Sequence, residues 1–249
     1  MKPIGKWLSS SSAQVVAGTC AGVILGVAGL LAFSAPAPSQ ANVKPSEWTA
    51  AQRTGPLFAA FGQATPAEDV RDLADWVADS GDAGHGPFLV IDKKNARMYI
   101  FDSNSTLVAD STILLGGARG DDTVPGIGSR PIEQVRPEER TTPAGRFVGE
   151  RGHDARGEDV VWVDYDAAVS IHRVLTTNPA ERRLERLASA SREDKRISYG
   201  CINVPKAFYE KQVQPLFARR RAVVYVLPEV KRLHDVFNMY EVRTRYAGR

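Results

Sequence analysis

The chain has few of the residues that commonly build metal sites or disulfide frameworks. Its 249 residues include two cysteines and four histidines. Two cysteines cannot supply a cysteine-rich zinc cluster or a scaffold of several disulfides. The four histidines are far apart in the sequence, so the closely spaced pair typical of cell-wall zinc peptidases is missing. We therefore expect neither a metal ion nor another cofactor.

The chain also has little excess of either positive or negative charge. The formal net charge is +3, and the basic clusters "ERRLER" and "FARRRAV" are offset by nearly as many acidic residues elsewhere. No basic stripe interleaved with aromatic residues is present, which argues against a nucleic-acid partner. The composition, 43% hydrophobic and 24% charged, is typical of a globular protein, and the length suits one main domain with appendages.

Long apolar runs are confined to the N-terminus. Lys2 and Lys6 precede an uncharged apolar run over residues 15–33, and "SAPAPSQA" follows at residues 34–41. This order predicts an export signal over residues 1–41, and the small-x-small "SQA" favours cleavage after it. The run approaches the length of a membrane span, so a retained anchor is the alternative. We expect an exported protein of the periplasm or cell envelope that meets the membrane only through this segment.

Export makes the second cysteine conspicuous. Cys20 lies within the apolar run, so Cys201 is the only thiol in the rest of the chain. An unpaired cysteine in an oxidising compartment indicates either an intermolecular bridge or a reactive thiol.

The remaining sequence divides into three parts. Residues 42–86 are predicted to be a linker with one short helix in "TPAEDVRDLADWVADSG". Thr65 is the predicted N-cap of this helix, Gly81 is predicted to end it, and one face of it is apolar. Residues 87–228 are predicted to form the main domain, and residues 229–249 a basic C-terminal tail.

The main domain has the pattern of β-structure. "FLVID" and "RMYIF", separated by the polar turn "KKNA", predict a hairpin. Further strands are predicted at "STLVADSTILLGG", "TTPAGRFVGE", "EDVVWVDYD", "AAVSIHRV" and "RAVVYVLP". Helical patterns occur only late, in "PAERRLERLASA" and "PKAFYEKQV". Residues 118–140 carry glycine, proline and charge without periodicity and predict a long surface excursion. The expected class is mainly β with a few helices (α+β).

Three features around Cys201 favour nucleophilic chemistry. A thiol becomes a thiolate at neutral pH only beside a base, a cation or a helix N-terminus. His172, at the end of a predicted central strand, is the best candidate base among the four histidines. A helix predicted to begin near Pro205 would place Cys201 just before its N-terminus. Gly200 allows close backbone approach and leaves amides free to hold an oxyanion.

These motifs resemble those of a known family. "ISYGCIN" is similar to the signature of the L,D-transpeptidases (YkuD-type domains), in which Ser/Thr-His-Gly-Cys-x-Asn or Arg follows an upstream histidine. "SIHRV", "TTPAGRF" and "FLVIDKKNARMYIFD" resemble the family's histidine segment, proline turn and opening hairpin. The resemblance covers residues 87–227 and implies an L,D-transpeptidase-like β-sandwich with the catalytic cysteine just before a helix.

The resemblance also implies roles for individual residues. Cys201 corresponds to the nucleophile, and His172 to the general base, which the family orients through a backbone carbonyl, here that of Arg173. Gly200 lies at the implied oxyanion hole, with backbone amides around Tyr199 to Cys201 as donors.

Four positions are implied to bind substrate: Ser198, Tyr199, Asn203 and Arg173. The sequence departs from the family at two places. Tyr199 replaces the histidine before the glycine, and the spacer between His172 and Cys201 is longer than usual and holds the charged helix of residues 179–190. We interpret "ERRLER" in that helix as a solvated face; the alternative is that its arginines meet substrate carboxylates.

The implied reaction is acyl transfer on peptidoglycan tetrapeptide stems through a thioester, ending in 3-3 cross-links or related amide bonds. Acylation by a carbapenem is implied as well. Two alternatives remain: an L,D-carboxypeptidase or hydrolase that resolves the same acyl-enzyme with water, and a non-catalytic cell-wall-binding protein.

Overall fold

The computed structural model describes residues 55–218 and 220–247. The predicted export segment and residues 42–54 lie outside this part of the chain. Within it, no helix combines the length and apolar character needed to cross a membrane.

The described chain is mainly β with a few helices, and this prediction is confirmed. Eight strands form one sheet in the order β3-β2-β1-β10-β5-β6-β7-β9, and β4 pairs with β8 separately. The strands are β1 (Phe88–Asp92), β2 (Arg97–Phe101), β3 (Leu107–Thr112), β4 (Leu115–Gly116), β5 (Gly145–His153), β6 (Asp159–Asp164), β7 (Val169–Arg173), β8 (Arg196–Ser198), β9 (Ile202–Val204) and β10 (Ala222–Val226).

The helices are short apart from the first. They are α1 (Glu68–Ser80), α2 (Arg183–Ala188), α3 (Lys206–Phe208), α4 (Gln214–Phe217), α5 (Leu233–Val236) and α6 (Val242–Tyr246). A π-helical turn, Tyr209–Val213, joins α3 and α4 into one continuous helical run.

The predicted α1 forms with a different start. Its N-cap is Ala67, which makes no side-chain capping hydrogen bond, so Thr65 is not the cap. The C-terminal signal is correct: Gly81 is left-handed (φ 70°), and its amide donates to the carbonyl of Val77. The expected apolar face is fully buried.

The sheet packs on both faces, which explains why its central strands are apolar throughout. β1 and β10 are buried at every position and pair in parallel. One face of this region packs against a core that includes β6, β7, β9 and the α3–α4 run. The other face packs against α1 and the C-terminal residues Leu233, Phe237 and Val242. Residues of the predicted linker and tail therefore cover the sheet beside β1.

The predicted hairpin and surface excursion are both present. β1 and β2 pair antiparallel in continuous register from Phe88↔Phe101 to Asp92↔Arg97. Residues 118–140 contain three short 3-10 turns and no strand. β7, which carries His172, lies next to the edge strand β9 rather than in the centre of the sheet.

Candidate active site

Cys201 lies in the tight connection between β8 and β9. Gly200 before it has φ 132°, a conformation that favours glycine. A Cβ at this position would lie 2.8 Å from the carbonyl oxygen of Thr141. Glycine is therefore required both for the backbone angle and for the close approach of the 141–142 segment.

Two hydroxyls hold this connection in place. Ser198 Oγ donates to the carbonyl of Cys201 at 2.6 Å and accepts from the amide of Gly200 at 3.1 Å. Thr142 Oγ1 donates to the carbonyl of Gly200 at 2.8 Å and accepts from the amide of Gly116 at 2.9 Å. Both hydroxyl residues are buried. The carbonyls of Gly200 and Cys201 are thus each held by a buried hydroxyl.

His172 reaches the same place from β7. β7 and β9 run parallel, with His172 opposite Asn203. The Nδ1 atom of His172 lies 2.7 Å from the carbonyl oxygen of Arg173. Because a carbonyl only accepts, Nδ1 carries a hydrogen, and in the neutral ring the lone pair is then on Nε2.

The surroundings of Cys201 favour its thiolate. Burial of the sulfur raises the pKa of Cys201, whereas a hydrogen bond and the charge interaction with His172 lower it, and Ser170 lowers it further. The lowering contacts prevail, so the pKa of Cys201 lies below its ordinary value. The Ser170 hydroxyl lies 3.7 Å from the sulfur. Since Ser170 and His172 are two residues apart on one strand, they face the same side.

The geometry can be compared with proteins of known structure. No protein-family model and no curated protein matches the chain. Solved structures that are similar to it include the following three. One is an Enterococcus faecium L,D-transpeptidase carrying a cysteine-to-serine substitution: 16% identity, TM-score 0.32, covering 57% of this chain and 50% of that one. Another is the helical cell-shape determining protein Pgp2 of Campylobacter jejuni: 17% identity, TM-score 0.38, covering 59% and 49%. The third is the L,D-transpeptidase LdtMt1 in complex with imipenem: 14% identity, TM-score 0.34, covering 57% and 59%. The chain thus spans half to three fifths of their lengths.

Helix-dipole activation of Cys201 is not seen. β9 separates Cys201 from the helical run, which begins at Lys206 with Pro205 as its N-cap. The helix begins where the sequence predicts, near Pro205, but residues 202–204 extend as a strand beside β7, so its N-terminus lies one short strand away from Cys201. The contacts that lower the pKa of Cys201 are therefore made by His172 and Ser170 and not by a helix N-terminus.

The predicted substrate residues occupy different surroundings. The Arg173 side chain turns away from the sulfur, since it lies over the ring of Tyr209 (4.4 Å to the centroid) and donates to Glu210 and to the carbonyl of Asp159. Asn203 is fully buried beside His172. Its neighbour Arg183, together with Thr142 and Ser170, was not expected at the site. The spacing of Ser170 and His172 on one strand face could have revealed Ser170.

A pH profile of thiol reactivity tests this electrostatic balance. We expect alkylation of Cys201 by iodoacetamide to persist below the pH at which an ordinary thiol is protonated. In His172→Gln the lowering contacts made by His172 are lost while burial remains, so the alkylation profile should move to higher pH. Alkylation rate against pH, with intact mass to count adducts, measures the shift. An unchanged profile in the variant would show that His172 does not set the thiolate population.

Tyr199 stacks on the surface excursion. Its side chain is partly exposed, and the Arg140 guanidinium lies 4.0 Å from the ring centroid. Arg140 in turn donates twice to the carbonyl of Val135. The tyrosine thus fastens the end of the 118–140 excursion beside Cys201.

Removal of the ring should loosen that excursion. We expect Tyr199→Leu to lower the free energy of unfolding by about 0.5–1 kcal/mol, the usual size of an exposed cation–π contact. Amide hydrogen exchange over residues 132–140 should speed up, whereas Tyr199→Phe, which keeps the ring, should match the parent. Equal exchange in the leucine variant would argue that the contact stabilises nothing.

Proposed function

We propose that this chain is an exported cysteine L,D-transpeptidase that acts on peptidoglycan tetrapeptide stems. The observation that carries the proposal is geometric: Cys201 lies beside His172, whose Nδ1 is held by the Arg173 carbonyl, and the contact with His172 lowers the pKa of the thiol. A nucleophile, a base and a group that orients the base are the parts that acyl transfer through a thioester requires. The motif resemblance supplies the substrate class.

The first half-reaction forms the thioester. The sulfur of Cys201 attacks the carbonyl carbon of the third stem residue, and its proton passes to Nε2 of His172. The backbone amide of Gly200 already donates to Ser198, so we assign the developing oxyanion to the amides of its two neighbours, Tyr199 and Cys201. The tetrahedral intermediate collapses, the C–N bond breaks, and D-alanine leaves with the proton from His172.

The second half-reaction resolves the thioester. An amine, which we propose to be the side-chain amine of diaminopimelate on a neighbouring stem, attacks the thioester carbonyl and gives a proton to His172. The C–S bond breaks, and the thiolate is regenerated. Water in place of the amine would yield a trimmed stem, which is the carboxypeptidase alternative.

Export follows from the N-terminal sequence, where two lysines precede the apolar run of residues 15–33. A peptidoglycan substrate requires this location, so the two parts of the proposal support each other.

One assay separates the three candidate functions. The purified full-length protein is incubated with tetrapeptide muropeptides, and separately with a carbapenem, and both products and intact protein mass are read. Cross-linked dimers support transpeptidation, and trimmed monomers support the hydrolase instead. Untouched muropeptides together with an unmodified protein would overturn both and leave the wall-binding alternative.

A further inference from the structure

The segment between β7 and β8 contains the short helix α2, which is held by buried hydrogen bonds. Its helix α2 ends at Ala188, and the buried ammonium of Lys195 donates to the carbonyls of Arg186, Leu187 and Ser189 at 2.6–2.7 Å. These bonds satisfy carbonyls that a helix leaves free at its C-terminus. The long spacer of the sequence therefore holds α2 in one position.

Two adjacent arginines at the start of α2, the N-cap residue Arg182 and the first helical residue Arg183, differ in exposure. The Arg182 side chain is 71% exposed and pairs with Glu185. The Arg183 side chain is only 10% exposed and pairs with Glu181 at 2.5 Å. A second guanidinium nitrogen of Arg183, Nη1, donates to Oδ1 of Asn203 at 2.5 Å. The interpretation of "ERRLER" as a solvated face fails for this residue.

The contact with Arg183 fixes which way the Asn203 amide points. A guanidinium has only donors, so it can contact only the oxygen of the amide. Nδ2 must then face the other side, where it lies 3.3 Å from the carbonyl oxygen of Cys201 and 3.5 Å from Nε2 of His172. Asn203 is completely buried, so no solvent competes for either end.

We propose that Arg183 is a positioning residue that acts on His172 through Asn203. The donor Nδ2 faces Nε2 and so favours the neutral ring with its lone pair on Nε2, the tautomer that the Nδ1 contact to the Arg173 carbonyl selects. If Arg183 is removed, the amide can rotate and turn Oδ1 toward Nε2. Both ring nitrogens then face acceptors, which suits only the doubly protonated ring, and that ring cannot take a proton from Cys201. The consequence for catalysis rests on the proposed function, in which His172 is the base.

Nitrogen NMR of His172 tests the proposal directly. In a Cys201→Ala background, which removes the thiol as a competing partner, we expect the Nε2 signal of an unprotonated nitrogen at neutral pH. Arg183→Met in the same background should shift this signal toward a protonated nitrogen, and Arg183→Lys, which keeps a donor, should restore part of it. Arg182→Met removes the same charge from an exposed position and should leave the signal unchanged. His172→Gln assigns the resonance among the four histidines.

A kinetic measurement accompanies the spectrum. With Cys201 present, the charged ring lowers the pKa of the thiol, so Arg183→Met should move the iodoacetamide alkylation profile to lower pH, and Arg182→Met should leave the profile unchanged. Should the methionine variant fail to fold, Arg183→Gln is used, since its shorter side chain is polar but does not reach Asn203. An unchanged Nε2 signal in the folded variant would overturn the proposal. Neither readout uses peptidoglycan, so a protein inactive on muropeptides would refute the proposed function without deciding this one.

Discussion

Replacement of Cys201 by alanine should abolish both the carbapenem adduct and the release of D-alanine from tetrapeptide muropeptides. In the proposed reaction the thioester forms on this sulfur, and alanine offers no nucleophilic atom in its place. The chain offers a matched control, because Cys20 is its only other cysteine. Cys20→Ala should keep the full adduct, with intact-protein mass as the readout. An adduct of undiminished yield in Cys201→Ala would place the nucleophile elsewhere.

His172→Gln should slow acylation strongly without abolishing it. General base catalysis contributes about 10²–10⁴ in rate, so we expect acylation to fall by roughly this factor while the thiol stays alkylatable at high pH. The variant keeps a polar side chain next to Arg173, and its melting temperature should stay near that of the parent. A variant that acylates at the parental rate would transfer the role of base to another residue.

The parts of this site that the sequence predicts are those set by local pattern. Alternating and continuous apolar runs located the β1–β2 hairpin and β10, because burial on one or both faces dictates those patterns. Cys201 and His172 stood out by rarity, and the structure brings them together because β7 and β9 are parallel neighbours.

The parts that the sequence does not predict depend on contacts between distant segments. Lys93 and Lys94 are adjacent in the polar turn after β1, yet the side chain of Lys93 is 0% exposed and that of Lys94 is 48% exposed. Likewise, only one of the two adjacent arginines at the start of α2, Arg183, is buried. Side chains of equal type and charge at neighbouring positions carry no local signal of which one the rest of the fold will cover.

Lys93 lies at the centre of a buried ionic cluster beneath the active site. Its ammonium donates to Asp121 and to the carbonyls of Gly120 and Thr142 at 2.6–2.8 Å. Glu229 lies 3.8 Å away and is paired with Arg196 at 2.5 Å. The cluster therefore ties the start of the surface excursion and the C-terminal segment to the 141–142 turn, whose Thr142 hydroxyl supports Gly200.

The pKa of Asp121 shows how strongly this carboxylate is held. Burial raises the pKa, but the Lys231 amide, the Lys93 ammonium and the amides of Glu229 and Val230 lower it to about 2. A folded-state pKa below the unfolded value means that the charged form stabilises the fold. That contribution is present above about pH 4 and is lost as the pH falls through about 2.

Lys93→Met should destabilise the protein by about 3–5 kcal/mol, because it leaves the buried Asp121 carboxylate without its cation and the carbonyls of Gly120 and Thr142 without this donor. For a chain of this size the melting temperature should fall by roughly 10 °C. Lys94→Met is the matched control: Lys94 forms an exposed pair with Asp69, and its loss should cost less than about 1 kcal/mol. Denaturant unfolding of both variants measures the difference, and equal stability of the two would refute the argument.

A double variant tests whether unbalanced charge causes the destabilisation of Lys93→Met. Without Lys93 the cluster holds the two carboxylates of Asp121 and Glu229 against the single cation of Arg196. Asp121→Asn removes one of these negative charges, so Lys93→Met/Asp121→Asn should be less destabilised than the sum of its single variants, by about 1 kcal/mol or more. Strict additivity would mean that lost packing, not unbalanced charge, destabilises Lys93→Met. The Lys93 ammonium also binds the carbonyl of Thr142, whose hydroxyl supports Gly200. Lys93→Met should therefore also slow alkylation of Cys201, and adding Asp121→Asn should not restore that rate.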